Sequence, residues 1–212
     1  MAKFVAIGLI LASFMMSATA SACSYSLSQT IENMGVSIEK IREFDSQFLQ
    51  IQLRLIEDGE DPELFQRDVM IKPTDQWEPV RVDIDGTVHI DFGDRRLGEG
   101  SRIAIDADCK TLFKPGVSLS VRSNGKSITM GRIKSAINEY KLFRESFGHF
   151  KRFLLPRVDM IKIYSRNNTA LRCTGFGYAV AAEAKSVAID LNFAPVGGEI
   201  VCEDDILVRL AL

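Results

Sequence analysis

Between Ile31 and Leu55 apolar residues recur every three or four positions: Ile31, Met34, Ile38, Ile41, Phe44, Phe48, Ile51 and Leu55. That spacing sets them on one face of a helix. Ser26-Leu27-Ser28-Gln29 precedes the stripe in capping-box form, so the Ser26 hydroxyl and the Gln29 side chain can satisfy each other's orphan amides. The pattern predicts one long helix over 23–58, ended by Glu57-Asp58-Gly59-Glu60-Asp61-Pro62. Asp45 and Gln52 fall where a heptad seam needs apolar side chains, so this helix is expected to lie on a sheet.

Strand spacing takes over across 66–131. Val80, Val82 and Ile84 alternate with polar residues, and so do Val88, Ile90 and Phe92. A three-residue loop, Ile84-Asp85-Gly86, sets Val82 opposite Val88 and Val80 opposite Ile90, with Gly86 where positive φ is needed. Asn124-Gly125 gives a second hairpin, pairing Val121 with Ile128 and Leu119 with Met130.

Helical spacing returns over 132–150 with Ile133, Ile137, Tyr140, Phe143, Phe147 and Phe150, and Pro156 ends it. Strand-like runs follow at 157–165, 169–182, 187–193 and 205–212, making 157–212 strand-rich. The last of them alternates to the final residue and suits either an edge for strand addition or a place buried within the sheet. The predicted fold class is α+β: a long N-terminal helix packed on a mainly antiparallel β-sheet, with a second amphipathic helix in mid-chain. Residues 23–212 are expected to form a single domain.

The first 22 residues read as a cleavable signal peptide. Lys3 supplies the positive start, an apolar run begins at Phe4, and Ala18-Thr19-Ala20 and Ala20-Ser21-Ala22 both offer small-residue exits. The apolar run is roughly 13 residues, short of the about 20 a membrane span needs. The expected location is therefore periplasmic or secreted. Ala20-Ser21-Ala22-Cys23 resembles a bacterial lipobox, which makes lipidation of Cys23 the alternative, with the protein anchored there.

Cys23, Cys109, Cys173 and Cys202 contain no C-x-x-C pair, and His89 and His149 are the only histidines, which excludes a familiar zinc cage. In an oxidising compartment four cysteines favour two disulfides in one of three pairings. Cys173 with Cys202 is preferred because both lie in the strand-rich C-terminal third, leaving Cys23 with Cys109.

Asp83-Ile84-Asp85-Gly86-Thr87 resembles the first motif of haloacid-dehalogenase-type phosphatases. The resemblance implies Asp83 as nucleophile, Asp85 as acid/base, a magnesium ion as cofactor and Asp204-Asp205 as late metal ligands. Read by their own spacing, the same residues make a hairpin turn. Asp83, Asp85, Asp91 and Asp94 also present oxygens suited to calcium, without the spacing of a calcium-binding loop.

Charge is uneven along the chain. Residues 55–110 hold fifteen Asp/Glu against seven Lys/Arg, and 132–172 hold ten Lys/Arg against three acids. A basic, Phe-rich helix can lie on an anionic membrane surface, with Lys141, Arg144, Lys151 and Arg152 as the contacts. A net charge of −2 and export argue against nucleic acid. With no catalytic set beyond the acidic motif, the expectation is a non-catalytic binding, assembly or scaffolding role. Its partner would be a protein of the envelope or extracellular space, with no cofactor. The alternatives are the magnesium-dependent phosphatase and the peripheral membrane binder.

Overall fold

The computed structural model describes residues 22–44, 46–59, 65–147, 155, 157–167, 169–175, 178–181, 185–192 and 197–211. Residues 1–21 of the stretch read as a signal peptide, and His149, Lys151 and Arg152, lie outside the described residues.

The long N-terminal helix does not form. Strand β1 (Ala22–Ser26) comes first, then two short helices, α1 (Leu27–Glu32) and α2 (Ile38–Glu43), then strand β2 (Leu49–Glu57). Ser26 does cap α1, its Oγ accepting from Gln29 N at 3.3 Å. Gly35 then turns the chain at φ 77°, and Ser37 caps a fresh helix by accepting from Lys40 N. Residues 49–55 read Leu-Gln-Ile-Gln-Leu-Arg-Leu, a period of two. Ile51 and Leu55 stand four apart and satisfy both periods, whereas Leu49 and Leu53 fit only the strand. Pairing decides: every residue from Leu49 to Glu57 has a partner on a later strand. Nine cross-strand positions and a row of buried Leu and Ile outweigh the good intrinsic helix propensity of Leu, Gln, Arg and Glu.

The chain continues through β3 (Val69–Lys72), β4 (Glu78–Val80), β5 (Thr87–Val88), β6 (Arg102–Asp106), β7 (Phe113–Val121) and β8 (Ser127–Thr129). Helix α3 (Met130–Glu145) follows, near where the periodicity places it. Its start is set by Thr129, whose Oγ1 accepts from Arg132 N. Then come β9 (Met160–Ser165), β10 (Arg172–Gly175), β11 (Tyr178–Ala181), β12 (Ser186–Asp190), β13 (Glu199–Cys202) and β14 (Ile206–Ala211). The described chain is thus mostly β, which corrects the α+β expectation.

Three sheets form, ordered β1-β6-β3-β4, β12-β9-β14-β7-β2-β5 and β11-β10-β13-β8. All the strand pairs among the described residues are antiparallel. Gly125 makes its turn at φ 70°, yet the hairpin expected around it is absent. Val121 lies opposite Leu49 and Val208, and Ile128 lies opposite Ile200. Both edges of β7 are claimed by longer apolar partners, β2 and β14, so the turn instead carries the chain into the third sheet. The last strand is not an edge either: β14 lies between β9 and β7.

Two disulfides join Cys23 to Cys109 and Cys173 to Cys202. Glu203 N donates to Arg172 O, which makes Cys173–Cys202 a non-hydrogen-bonded cross-strand pair. There the backbones approach most closely, here with Cα atoms 4.0 Å apart. Such bonds mark an oxidising environment. The Cys23 sulfur that lipidation would alkylate is consumed by Cys109, so the lipidated form and this structure exclude each other. Among the described residues no helix is long and apolar enough to cross a membrane.

The six-stranded sheet positions the site through its two unlike faces. Leu53, Leu119, Ile161 and Val208 alternate on one face and join Ile133, Tyr140 and Phe143 of α3 in the core. Burial of each such side chain stabilises by about 1.5–3 kcal/mol. The other face carries Gln52, Ser118, Ser120 and Arg209, and it too is buried, each of the four being 4% exposed. A buried polar face needs partners inside the protein. The segment following β4 supplies them for Gln52, Ser118 and Arg209, while Ser120 Oγ has none among the described residues.

Candidate functional site

The 81–89 hairpin has the loop its sequence predicts. Val82 lies opposite Val88, Asp83 N donates to Thr87 O at 2.9 Å, and Gly86 N donates to Asp83 O at 2.9 Å. Gly86 has φ 77°, and a Cβ there would overlap the Leu55 carbonyl oxygen. Its own carbonyl accepts from Leu55 N at 2.9 Å, fastening the loop to β2. The expected Val80–Ile90 pair is not made, because Val80 lies opposite Val69 in the first sheet.

The loop aims Asp83 and Asp85 at Arg209 in the middle of β14. Arg209 Nη2 donates to Asp83 Oδ2 at 2.7 Å, and Nε donates to Asp85 Oδ2 at 3.0 Å. Asp83 Oδ2 also lies 2.7 Å from His89 Nε2, and its Oδ1 accepts from Arg81 Nη2 at 3.1 Å. Asp85 Oδ1 accepts from Thr87 N at 3.2 Å. Around this core, Arg54 Nε donates to the Asp85 carbonyl and Thr87 Oγ1 donates to Ser118 Oγ, both at 2.8 Å.

Burial pushes the Asp83 carboxyl upward, but the hydrogen bond and charge of His89, with the charges of Arg209 and Arg81, prevail and hold it at about 2. Asp83 is therefore ionised at neutral pH, with both oxygens engaged. A nucleophilic carboxylate must offer a free oxygen to phosphorus; this one is 9% exposed and shared among three cationic or hydrogen-bonding side chains.

The other acidic residues do not join them. Asp91 Oδ1 accepts from Gly93 N, Asp94 is held by Arg96, and Asp204 bonds Thr169. Among the described residues no three His, Cys, Asp or Glu side chains converge as metal ligands would. Of the basic positions on α3, Lys141 is exposed and Arg144 half-buried. Phe143 and Phe147 are buried, the Phe143 ring centroid lying 5.0 Å from those of both Phe44 and Phe147, and Phe150 lies outside the described residues.

His89 connects this network to a cleft of about 620 Å³. The cleft lies where β5 ends and leaves the edge of β2 uncovered. Its walls are α2 with Phe44 on one side and the His89–Phe92 segment on the other, and residues Leu49–Gln52 form its floor. The walls are fixed. Arg42 donates to the carbonyls of Phe92 and Leu97 at 2.9 and 3.2 Å, tying α2 to the opposite wall. Gln52 Oε1 accepts from Ile90 N at 2.9 Å. Glu139 of α3 fixes the chain that enters β2: its carboxylate accepts from Ser46 Oγ and from the backbone N–H groups of Gln47, Phe48 and Leu49. Burial raises the Glu139 carboxyl, and these four donors outweigh it and hold it below the usual range.

Sequence reasoning finds Asp83, Asp85 and their turn but misses Arg209, Glu139 and the cleft. Arg209 alternates with Val208 and Leu210, so it reads as an outward, solvated position; nothing in the pattern tells that its face is covered. Comparison with protein-family models, curated proteins and solved structures finds no match for the chain.

Proposed function

We propose that this chain is an exported protein with a non-catalytic binding role, and that the cleft between α2 and the edge of β2 is where it binds. The observation that carries this reading is the cleft itself. Its volume of about 620 Å³ lies within the range usual for ligand sites, roughly 300–1,000 Å³. Polar and apolar residues line it together, and hydrogen bonds fix both walls before any ligand arrives. Export is supported by the apolar leading segment with its small-residue exits and by the two disulfides. The saturation of Asp83 and Asp85 by Arg209 favours binding over phosphoryl transfer. The burial of Phe143 and Phe147 favours it over insertion into a membrane surface.

Site-specific photo-crosslinking in the native host tests the reading. A benzophenone side chain placed at Arg122, on the cleft, is expected to give an adduct that the same group at Leu112, exposed elsewhere, does not. Equal labelling from both positions overturns the cleft as the binding site. Magnesium-dependent hydrolysis of p-nitrophenyl phosphate, abolished by Asp83→Asn, would replace binding by catalysis.

A further inference from the structure

The floor of the cleft is an open strand edge. β2 bonds to β7 along its whole length but to β5 only at Leu53 and Arg54. Arg122 N donates to Phe48 O on the β7 side, and Leu55 N donates to Gly86 O on the other. The antiparallel pattern therefore turns the N–H and C=O of the odd-numbered residues of β2 away from β7. Leu53 uses its pair on β5, and Leu49 N is taken by Ser46 Oγ and Glu139. The Leu49 carbonyl and both backbone groups of Ile51 have no hydrogen-bond partner among the described residues.

The segment that would continue β5 bends off at this point. Ile90 N bonds to the Val88 carbonyl and to the Gln52 side chain instead of the β2 backbone. The space a strand residue opposite Ile51 would fill is the cleft. Backbone groups at such a place need a partner, and an edge of this kind is a template for an incoming chain.

We propose that the cleft receives an extended segment of a partner protein, added antiparallel to the open edge of β2 in line with β5. The residue opposite Ile51 gives its N–H and accepts from Ile51 N, and the residue two further on donates to the Leu49 carbonyl. Charge favours an acidic segment: Arg42 and Arg122 line the cleft against one carboxylate, Asp91; Arg42 donates to the carbonyls of Phe92 and Leu97, Arg122 is exposed, and among the described residues neither arginine is in a salt bridge. This rests on the cleft being the binding site and adds what it binds.

The test selects binders from a displayed random heptapeptide library on the disulfide-bonded protein, then resynthesises them with single backbone N-methyl groups. Acidic sequences are expected to be enriched, and Arg122→Glu is expected to weaken them. N-methylation at two alternate positions should weaken binding about tenfold or more, the loss expected when a main-chain hydrogen bond goes unmade, while the position between them tolerates it. Bound peptide should slow exchange of the Ile51 amide. A peptide that shifts the His89 and Arg122 resonances yet tolerates N-methylation everywhere overturns strand addition and leaves the cleft reading standing. Peptides that leave those resonances unmoved, or no enrichment at all, overturn both. Protection of the Ile51 amide that rises with protein concentration alone assigns the edge to a second copy of this chain and overturns the partner.

Discussion

Asp85 and Arg209 are separated by 124 residues of chain, and Arg209 Nε donates to Asp85 Oδ2 at 3.0 Å. With the bond to Asp83, this contact fastens the 81–89 hairpin across the polar face of the six-stranded sheet. Arg209 is 4% exposed, and its carboxylate partners Asp83 and Asp85 are buried with it. A buried pair of this kind adds little net stability against an apolar replacement, but losing one partner strands the other charge. Arg209→Met should therefore destabilise the protein by about 3–5 kcal/mol in chemical denaturation. Replacing Asp83, Asp85 and Arg209 together by apolar residues of similar volume should recover much of that loss. A single variant as stable as the parent would show that the hairpin is held by other contacts.

Acid should loosen the same hairpin. The Asp83 carboxyl is lowered from 3.8 to about 2 in the folded protein, so folding favours its ionised form. Its contribution is in full force above the unfolded value of 3.8 and is lost as pH falls through about 2. The shift corresponds to about 2 kcal/mol. Denaturation followed from about pH 5 to about pH 2, which spans both values, should show stability falling toward acid. Asp83→Asn should lower stability at neutral pH and flatten that fall. An unchanged slope in the variant would assign the acid sensitivity to other carboxylates.

How much of this is legible in the sequence depends on what each element answers to. The 84–86 loop is local: Asp85-Gly86 chemistry and the pairing of Val82 with Val88 settle it without help from the rest of the chain. The start of α1 at Ser26 and of α3 near Arg132 are local as well. Residues 49–57 answer to a strand far along the chain, since Leu49 lies opposite Val121 and Glu57 opposite Phe113. Their period-two pattern was legible, but Ile51 and Leu55 served the helical stripe equally well. The Asn124-Gly125 turn forms, while the pairing inferred from it fails because β7 has better neighbours on both sides. Arg209 and the open edge at Ile51 depend on which face is covered and where β5 stops, and neither leaves a trace in residue spacing.

Gly86→Ala separates the requirements of the turn from those of the network. The position has φ 77°, where an L side chain is disfavoured by about 1–2 kcal/mol, and the new methyl would meet the Leu55 carbonyl oxygen, which backbone pairing holds in place. The combined effect should exceed that of backbone conformation alone. We expect a loss of more than about 2 kcal/mol, with faster exchange of the Leu55 amide that bonds Gly86 O. Gly59 gives the control: it also has positive φ, but a Cβ there meets nothing within 4 Å. Gly59→Ala should lower stability by the conformational part only. Equal losses at both positions would mean that the loop moves freely against β2.

The state of Cys23 links the structure to the route by which the protein reaches its compartment. A diacylglycerol thioether and the Cys23–Cys109 disulfide need the same sulfur atom, so a mature chain carries one or the other. The disulfide closes 86 residues and Cys173–Cys202 closes 29. On chain-entropy grounds the two are worth about 4–5 and about 3–4 kcal/mol, so Cys23→Ala should destabilise more than Cys202→Ala. Intact mass of the protein from its native host reads the same question directly. A chain lacking residues 1–22 should take up no alkylating reagent until it is reduced, and then one group on each of Cys23, Cys109, Cys173 and Cys202. A lipid-sized mass increase, with Cys109 alkylated before reduction, would mean that the anchored form is the native one and that β1 is held to β6 without its covalent tie.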